Sequence, residues 1–133
     1  MRIISVILLA FILCGCSQEA DSGRPDRVVI GVTVTASVDG EYMHRHYRED
    51  PKIRAVLYYL RSLDPQIITN MEPDSYRTNA YRIILEMSDG SEVIYHQLHN
   101  DFLQKNGEAW KTIDPVAGAS LPKLLAKLPD DSA

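Results

Sequence analysis

The sequence predicts an α+β domain: a meandering antiparallel sheet of about four to six strands with two helices packed on one of its faces. Three observations carry this reading. An apolar residue recurs at every second position from Val28 to Val38, which is the period of a half-buried strand. Tyr81–Met87 with Glu92–Leu98, and Phe102–Lys105 with Glu108–Ile113, are rich in β-formers and flank Ser88-Asp89-Gly90-Ser91 and Asn106-Gly107, the turn chemistry of hairpins. Aliphatic residues recur at helical spacing over 51–63 and 121–128, so each helix has one face to bury.

Taken in order, Val28, Ile30, Val32, Val34, Ala36 and Val38 are expected to share one face of the first strand. Asp39-Gly40 then supplies a tight turn, after which Glu41–Tyr47 is either the returning strand or an extended loop. Asp50-Pro51 has the form of an N-cap followed by proline at the first helical position. Ile53, Val56, Leu57 and Leu60 continue the helical stripe to Leu63, and Asp64-Pro65 ends it. A short extended piece over Gln66–Met71 and a polar loop over Glu72–Asn79 lead into the hairpins. Pro115–Ala119 breaks the run of strands. Ser120 then opens a second helix whose Leu121, Leu124, Leu125 and Leu128 form one stripe before Pro129 stops it. Residues 130–133 read as a polar tail.

The N-terminus has a different composition. Ile3–Leu13 is almost wholly apolar, follows Arg2 and stops at Cys14-Gly15-Cys16, the layout of a secretory signal. Such a run is too short to span a bilayer, which needs about 20 residues. Leu13-Cys14-Gly15-Cys16 resembles the lipobox of bacterial lipoproteins, in which an apolar residue at the third position before the cut and a small residue just before it precede a cysteine. Cys14 departs from the usual small aliphatic or hydroxyl residue at the second position. The resemblance implies that residues 1–15 are removed and that Cys16 takes a diacylglyceryl group, leaving its freed amine open to acylation. It further implies a bilayer as partner and an extracytoplasmic address, at the outer membrane, given Ser17, if the host has one. Ser17–Asp26 is small or polar and reads as a flexible tether, which leaves 27–129 as a single domain. The stretch Tyr81–Ile113, with its Ser-Asp-Gly-Ser and Asn-Gly-Glu-Ala-Trp-Lys segments, looks like the sheet of small uncharacterised lipoprotein domains of bacteria, a resemblance that implies no activity.

Composition bounds the function. Hydrophobic residues at 45% and charged residues at 24% describe a chain that folds. A net charge of −4 without any basic run argues against nucleic acid, whose affinity rests on phosphate neutralisation. With Cys16 acylated the mature chain has no free thiol, so a disulfide framework, a cysteine metal site and a catalytic cysteine all fall away. Gly-rich phosphate loops and EF-hand spacing are absent, and no cofactor is expected.

His44, His46, His96 and His99 are the four histidines, and imidazole is a common zinc and copper ligand. On a strand His44 and His46 share a face, whereas His96 and His99 need a turn at Leu98 to meet. Ser75, Ser88, Ser91 and Ser120 sit in turn or cap contexts, outside any nucleophile elbow. Glu49/Asp50 and Asp130/Asp131 read as cap and tail residues. Seven tyrosines against two phenylalanines is a bias toward residues that keep one wet end. Tyr58, Tyr59, Tyr95 and Trp110 are the candidate interaction surface, with at least one of Tyr58 and Tyr59 exposed beside the helical stripe. The expected function is a membrane-tethered, non-enzymatic binding or interaction module. Its partner would be an envelope protein or polymer, met by the sheet face that the helices leave free. The alternatives are a metal-binding envelope protein using the four histidines and a small hydrolase.

Overall fold

A computed structural model describes residues 27–67 and 79–131. The signal, Cys16, the tether and most of the segment between Gln66 and Asn79 lie outside the described residues. No helix among the described residues is long and apolar enough to cross a membrane.

The elements are β1 (Val29–Val38), β2 (Glu41–Tyr47), α1 (Asp50–Ser62), β3 (Gln66–Ile67), β4 (Ala80–Met87), β5 (Glu92–Leu98), β6 (Phe102–Lys105), β7 (Lys111–Thr112), α2 (Pro115–Gly118) and α3 (Leu121–Lys127). All pairings are antiparallel, in one seven-stranded sheet of order β2-β1-β4-β5-β6-β7-β3. The domain is α+β as expected, yet the sheet is only partly a meander. β4 to β7 follow one another, whereas the β1–β2 hairpin joins beside β4 and β3 closes the far edge.

Alternation sets the core. Val32, Val34 and Ala36 of β1 lie opposite Leu85, Ile83 and Tyr81 of β4, and all six are buried. They form one cluster with Ile53, Val56, Tyr59 and Leu63 from the α1 segment, with Leu103, and with Leu121 and Leu125 of α3. Burying a leucine fully contributes about 1.5–3 kcal/mol, and Leu121 and Leu125 are fully buried.

Several expectations shift in detail. Val28 and Ile30 do not join the core face, because the β1–β4 register slips between Val29 and Gly31 and such a bulge transfers the preceding side chains to the other face. Ile30 is 46% exposed. Asp39 and Gly40 both have positive φ, as a type I′ turn requires, and Glu41–Tyr47 is the returning strand. Asn106-Gly107, in contrast, sits in a longer loop between β6 and β7, with positive φ at Gly107 but not at Asn106. The N-cap of α1 is Glu49 rather than Asp50, and the Asp50 carboxylate instead accepts from Arg54 Nη2 at 2.7 Å. Pro115 does not merely break the chain: it starts the one-turn helix α2, capped by Asp114, whose carboxylate accepts from Val116 N–H at 3.1 Å.

The largest difference lies at Asp130 and Asp131, which are docked rather than tail-like. Asp130 Oδ1 accepts from His46 N–H at 2.8 Å, and Asp131 N–H donates to His46 O at 2.9 Å. Asp131 Oδ2 accepts from the N–H groups of Arg48 and Glu49 at 2.6 and 2.9 Å, and its Oδ1 accepts from Lys52 Nζ at 2.5 Å. One carboxylate thus satisfies donors at the entry to α1, where a negative charge is also favoured by the helix dipole. Tyr47 OH donates to Leu128 O at 2.7 Å, tying β2 to the end of α3.

Candidate functional site

Strand register assembles one polar row. His44 of β2 lies opposite Thr35 of β1, Thr35 opposite Arg82 of β4, Arg82 opposite His96 of β5, and His96 opposite Gln104 of β6. Because side chains alternate across a strand, this row points away from the face that carries Val34 and Ile83. Its members are exposed or half-buried. Thr35, Ser37, Tyr42, Ala80, Arg82 and His96 line a shallow concavity of about 230 Å³ there. Tyr42 is 73% exposed and stands opposite Ser37. Burial first and Arg82 second lower the His96 pKa, which keeps the ring neutral at pH 7. The row therefore offers a guanidinium, a neutral imidazole, hydroxyls and a tyrosine ring within one concave patch.

Next to it lies a second cluster. Thr33 Oγ1 is 3.0 Å from His46 Nδ1 and donates to Glu86 Oε2 at 3.3 Å, so the imidazole must carry its proton on Nδ1 to complete the bond to Thr33. Arg48 Nη2 lies 3.8 Å from Glu86 Oε1. A hydrolytic relay places the hydroxyl and the carboxylate on opposite ring nitrogens. Here both approach Nδ1, so the cluster has the form of a strand-to-strand clamp.

The four histidines are divided. His44 and His46 share a face of β2 as expected, His96 is separated from His44 by two strands, and β5 ends at Leu98 before His99, whose φ is 55°. Among the described residues no group of three or more His, Cys, Asp or Glu is placed to hold a metal ion.

The aromatic quartet does not form one surface either. Tyr58 is 72% exposed, but Tyr59 is 3% exposed. Tyr59 is drawn inward because its hydroxyl donates to Gln97 Oε1, and burial raises its pKa. Tyr95 is half-buried on the core side of β5, packed against the core cluster opposite Ile83. Trp110 is half-buried just before β7. Cys16 lies outside the described residues. The residues that sequence reasoning missed are Thr35, Arg82, Gln104 and Tyr42. The alternation Tyr81, Ile83, Leu85 already assigns Arg82 to the opposite face.

A different concavity, of about 580 Å³, opens where the core face runs past the C-terminal half of α1. Leu57, Leu60, Leu85, Tyr95 and Leu103 line it, with Arg61, Lys105, Lys111 and Glu108 among its other walls.

No family model, curated protein or solved structure matches this chain.

Proposed function

We propose that the chain is a lipid-anchored, extracytoplasmic binding module, tethered through Cys16, that meets an envelope protein or polymer with the sheet face opposite its core. The helices α1 and α3 pack on the other face in this reading, and catalysis has no part in it. The observation that carries it is the row His44, Thr35, Arg82, His96 and Gln104, continuous across five strands and bordered by the exposed Tyr42. A contact patch that presents a tyrosine and an arginine, with polar groups that reach solvent, carries the residue types enriched at interaction surfaces. The lipobox resemblance supplies the anchor. Two acyl chains suffice for stable attachment, at about 0.8 kcal/mol per buried methylene.

The test is chemical cross-linking in intact cells, comparing the native chain with Tyr42→Ala/Arg82→Glu and with Cys16→Ala. A discrete partner captured by the native chain and lost from the double variant supports the face as the contact surface. Equal capture by both, or no discrete partner, refutes it. Intact mass from detergent-extracted membranes should equal the chain from Cys16 plus lipid, and Cys16→Ala should lose that mass.

A further inference from the structure

We infer that the cleft between α1 and β5–β7 is a binding site for a single-chain anionic amphiphile, distinct from the contact face proposed above. The wall and floor of the cleft are aliphatic: Leu57 and Leu60 from α1, Leu85 from β4 and Leu103 from β6, with the Tyr95 ring between the two strands. Leu57, Leu60 and Tyr95 are only partly buried, so apolar surface that the core does not use faces the opening. At about 580 Å³ the cleft falls within the roughly 300–1,000 Å³ range of small-molecule sites.

Charge identifies the ligand class. On a chain of net charge −4, this cleft gathers Arg61, Lys105 and Lys111 against the single carboxylate of Glu108. Lys111 Nζ lies 3.8 Å from Glu108 Oε1, while Arg61 and Lys105 have no ion-pair partner among the described residues. Tyr95 OH likewise has no hydrogen-bond partner among them. The side chains of Leu57, Leu60, Leu85 and Leu103 suit an alkyl chain, which needs no directional partner. Cations at the cleft pair with a carboxylate or phosphate, and charge-assisted bonds to such a head are stronger than neutral ones. The acyl chain lies along Leu57, Leu60, Leu85 and Leu103. Its head meets Arg61 and Lys105, and the Tyr95 hydroxyl is available as a further donor.

The experiment uses membranes carrying the full chain, photolabelled with a diazirine-bearing hexadecanoate, with adducts mapped by peptide mass. Labelling should saturate and concentrate on the peptides containing Leu57–Arg61 and Leu103–Lys111. Excess hexadecanoate or hexadecyl phosphate should suppress it, and the more effective of the two tells a fatty acid from a phosphate-headed lysolipid. Hexadecanol should compete poorly. Arg61→Glu/Lys105→Glu changes two exposed side chains, so the fold is retained, and labelling should fall by about tenfold or more. Labelling scattered over the surface, equal competition by hexadecanol, or undiminished labelling of the double variant would each overturn the assignment.

Discussion

One buried polar network ties the core together. Gln97 is the one polar residue among the buried described ones, at 1% exposure, and it joins three elements. Its Oε1 accepts from Tyr59 OH of α1, and its Nε2 donates to His99 O at 2.8 Å and to Gly118 O of α2 at 3.3 Å. Tyr59→Phe keeps the ring and removes only the hydroxyl, so packing is conserved while Gln97 Oε1 is left without a donor in a dry site. An orphaned buried acceptor costs about 1–3 kcal/mol, more than the net gain of an ordinary hydrogen bond. For a domain of this size that lowers the melting midpoint by about 5–15 °C. Gln97→Leu removes both amide contacts: it strands the carbonyl of His99 and leaves the tyrosine hydroxyl only its 3.4 Å contact with Gly118 O, so it should cost at least as much. The double variant should be less unstable than the sum of the two, with a coupling of about 1–2 kcal/mol for groups in direct contact. Urea and thermal unfolding followed by circular dichroism measure all four corners of the cycle. A Tyr59→Phe variant within about 0.5 kcal/mol of the parent, the range of a neutral surface change, or simple additivity of the two substitutions, refutes the network as a structural element.

The remaining expectations follow the same contacts. Leu121→Ala, which empties a fully buried position, should cost about 2–5 kcal/mol, whereas Ile30→Ser, at the unpaired residue of the bulge, should stay within about 0.5 kcal/mol; paired urea titrations separate them. Gly118→Ala should cost about 1–3 kcal/mol, because a Cβ there would stand 2.3 Å from the backbone oxygen of Asn100, and unfolding midpoints check it. The Asp131 pKa is lowered from 3.8 to about 2, first by the hydrogen bond from Lys52 and then by the N–H groups of Arg48 and Glu49. A carboxylate whose folded value lies below its unfolded one stabilises fully above the unfolded value and loses that contribution as pH falls through the folded one. Thermal midpoints of the parent should therefore drop between about pH 4 and pH 2, and Asp131→Asn should flatten that limb.

Much of the fold was legible because local chemistry and the final environment agree. Asp39-Gly40 and Ser88-Asp89-Gly90-Ser91 make the turns their residues favour, and Val32, Val34 and Ala36 are buried as their spacing predicts. Where the two parted, a distant partner decided the outcome. Ile30 has the right spacing for the core, but the slip in register against β4 reverses its side. Tyr59 has the wrong polarity for a core residue, yet Gln97 supplies the acceptor that admits it. Asp130 and Asp131 follow a helix-ending proline and read as a tail, since their partners His46, Arg48, Glu49 and Lys52 lie far back in the chain. The amphiphile cleft was hidden for the same reason: Arg61, Lys105 and Lys111 come from three elements, and only the pairing of β6 with β5 and β7 brings two of those elements onto one part of the sheet.

The edges of the sheet bear on how a partner can approach. An open edge strand offers unpaired N–H and C=O groups and invites another strand. β2 is one edge and β3 the other. On β2, His46 N–H and C=O are already taken by Asp130 and Asp131, and Tyr47 is fully buried, so strand addition is blocked along the end nearest α1. β3 is two residues long, too short for a ladder of useful length. The edge left on β2 runs from Glu41 to Arg45 and carries charge at both ends, a pattern that discourages pairing. For the contact surface proposed above, these edges favour an approach to the face over one to the edge. Removing the side-chain half of the lock with Asp130→Ala should free the His46 N–H, while the Asp131 N–H stays on His46 O, and should raise the tendency of the chain to self-associate, a change that analytical ultracentrifugation at increasing protein concentration would register. If that variant stays monomeric over the range in which the parent does, the Asp130 carboxylate does not guard the edge, and the length and charge of β2 alone keep it from pairing.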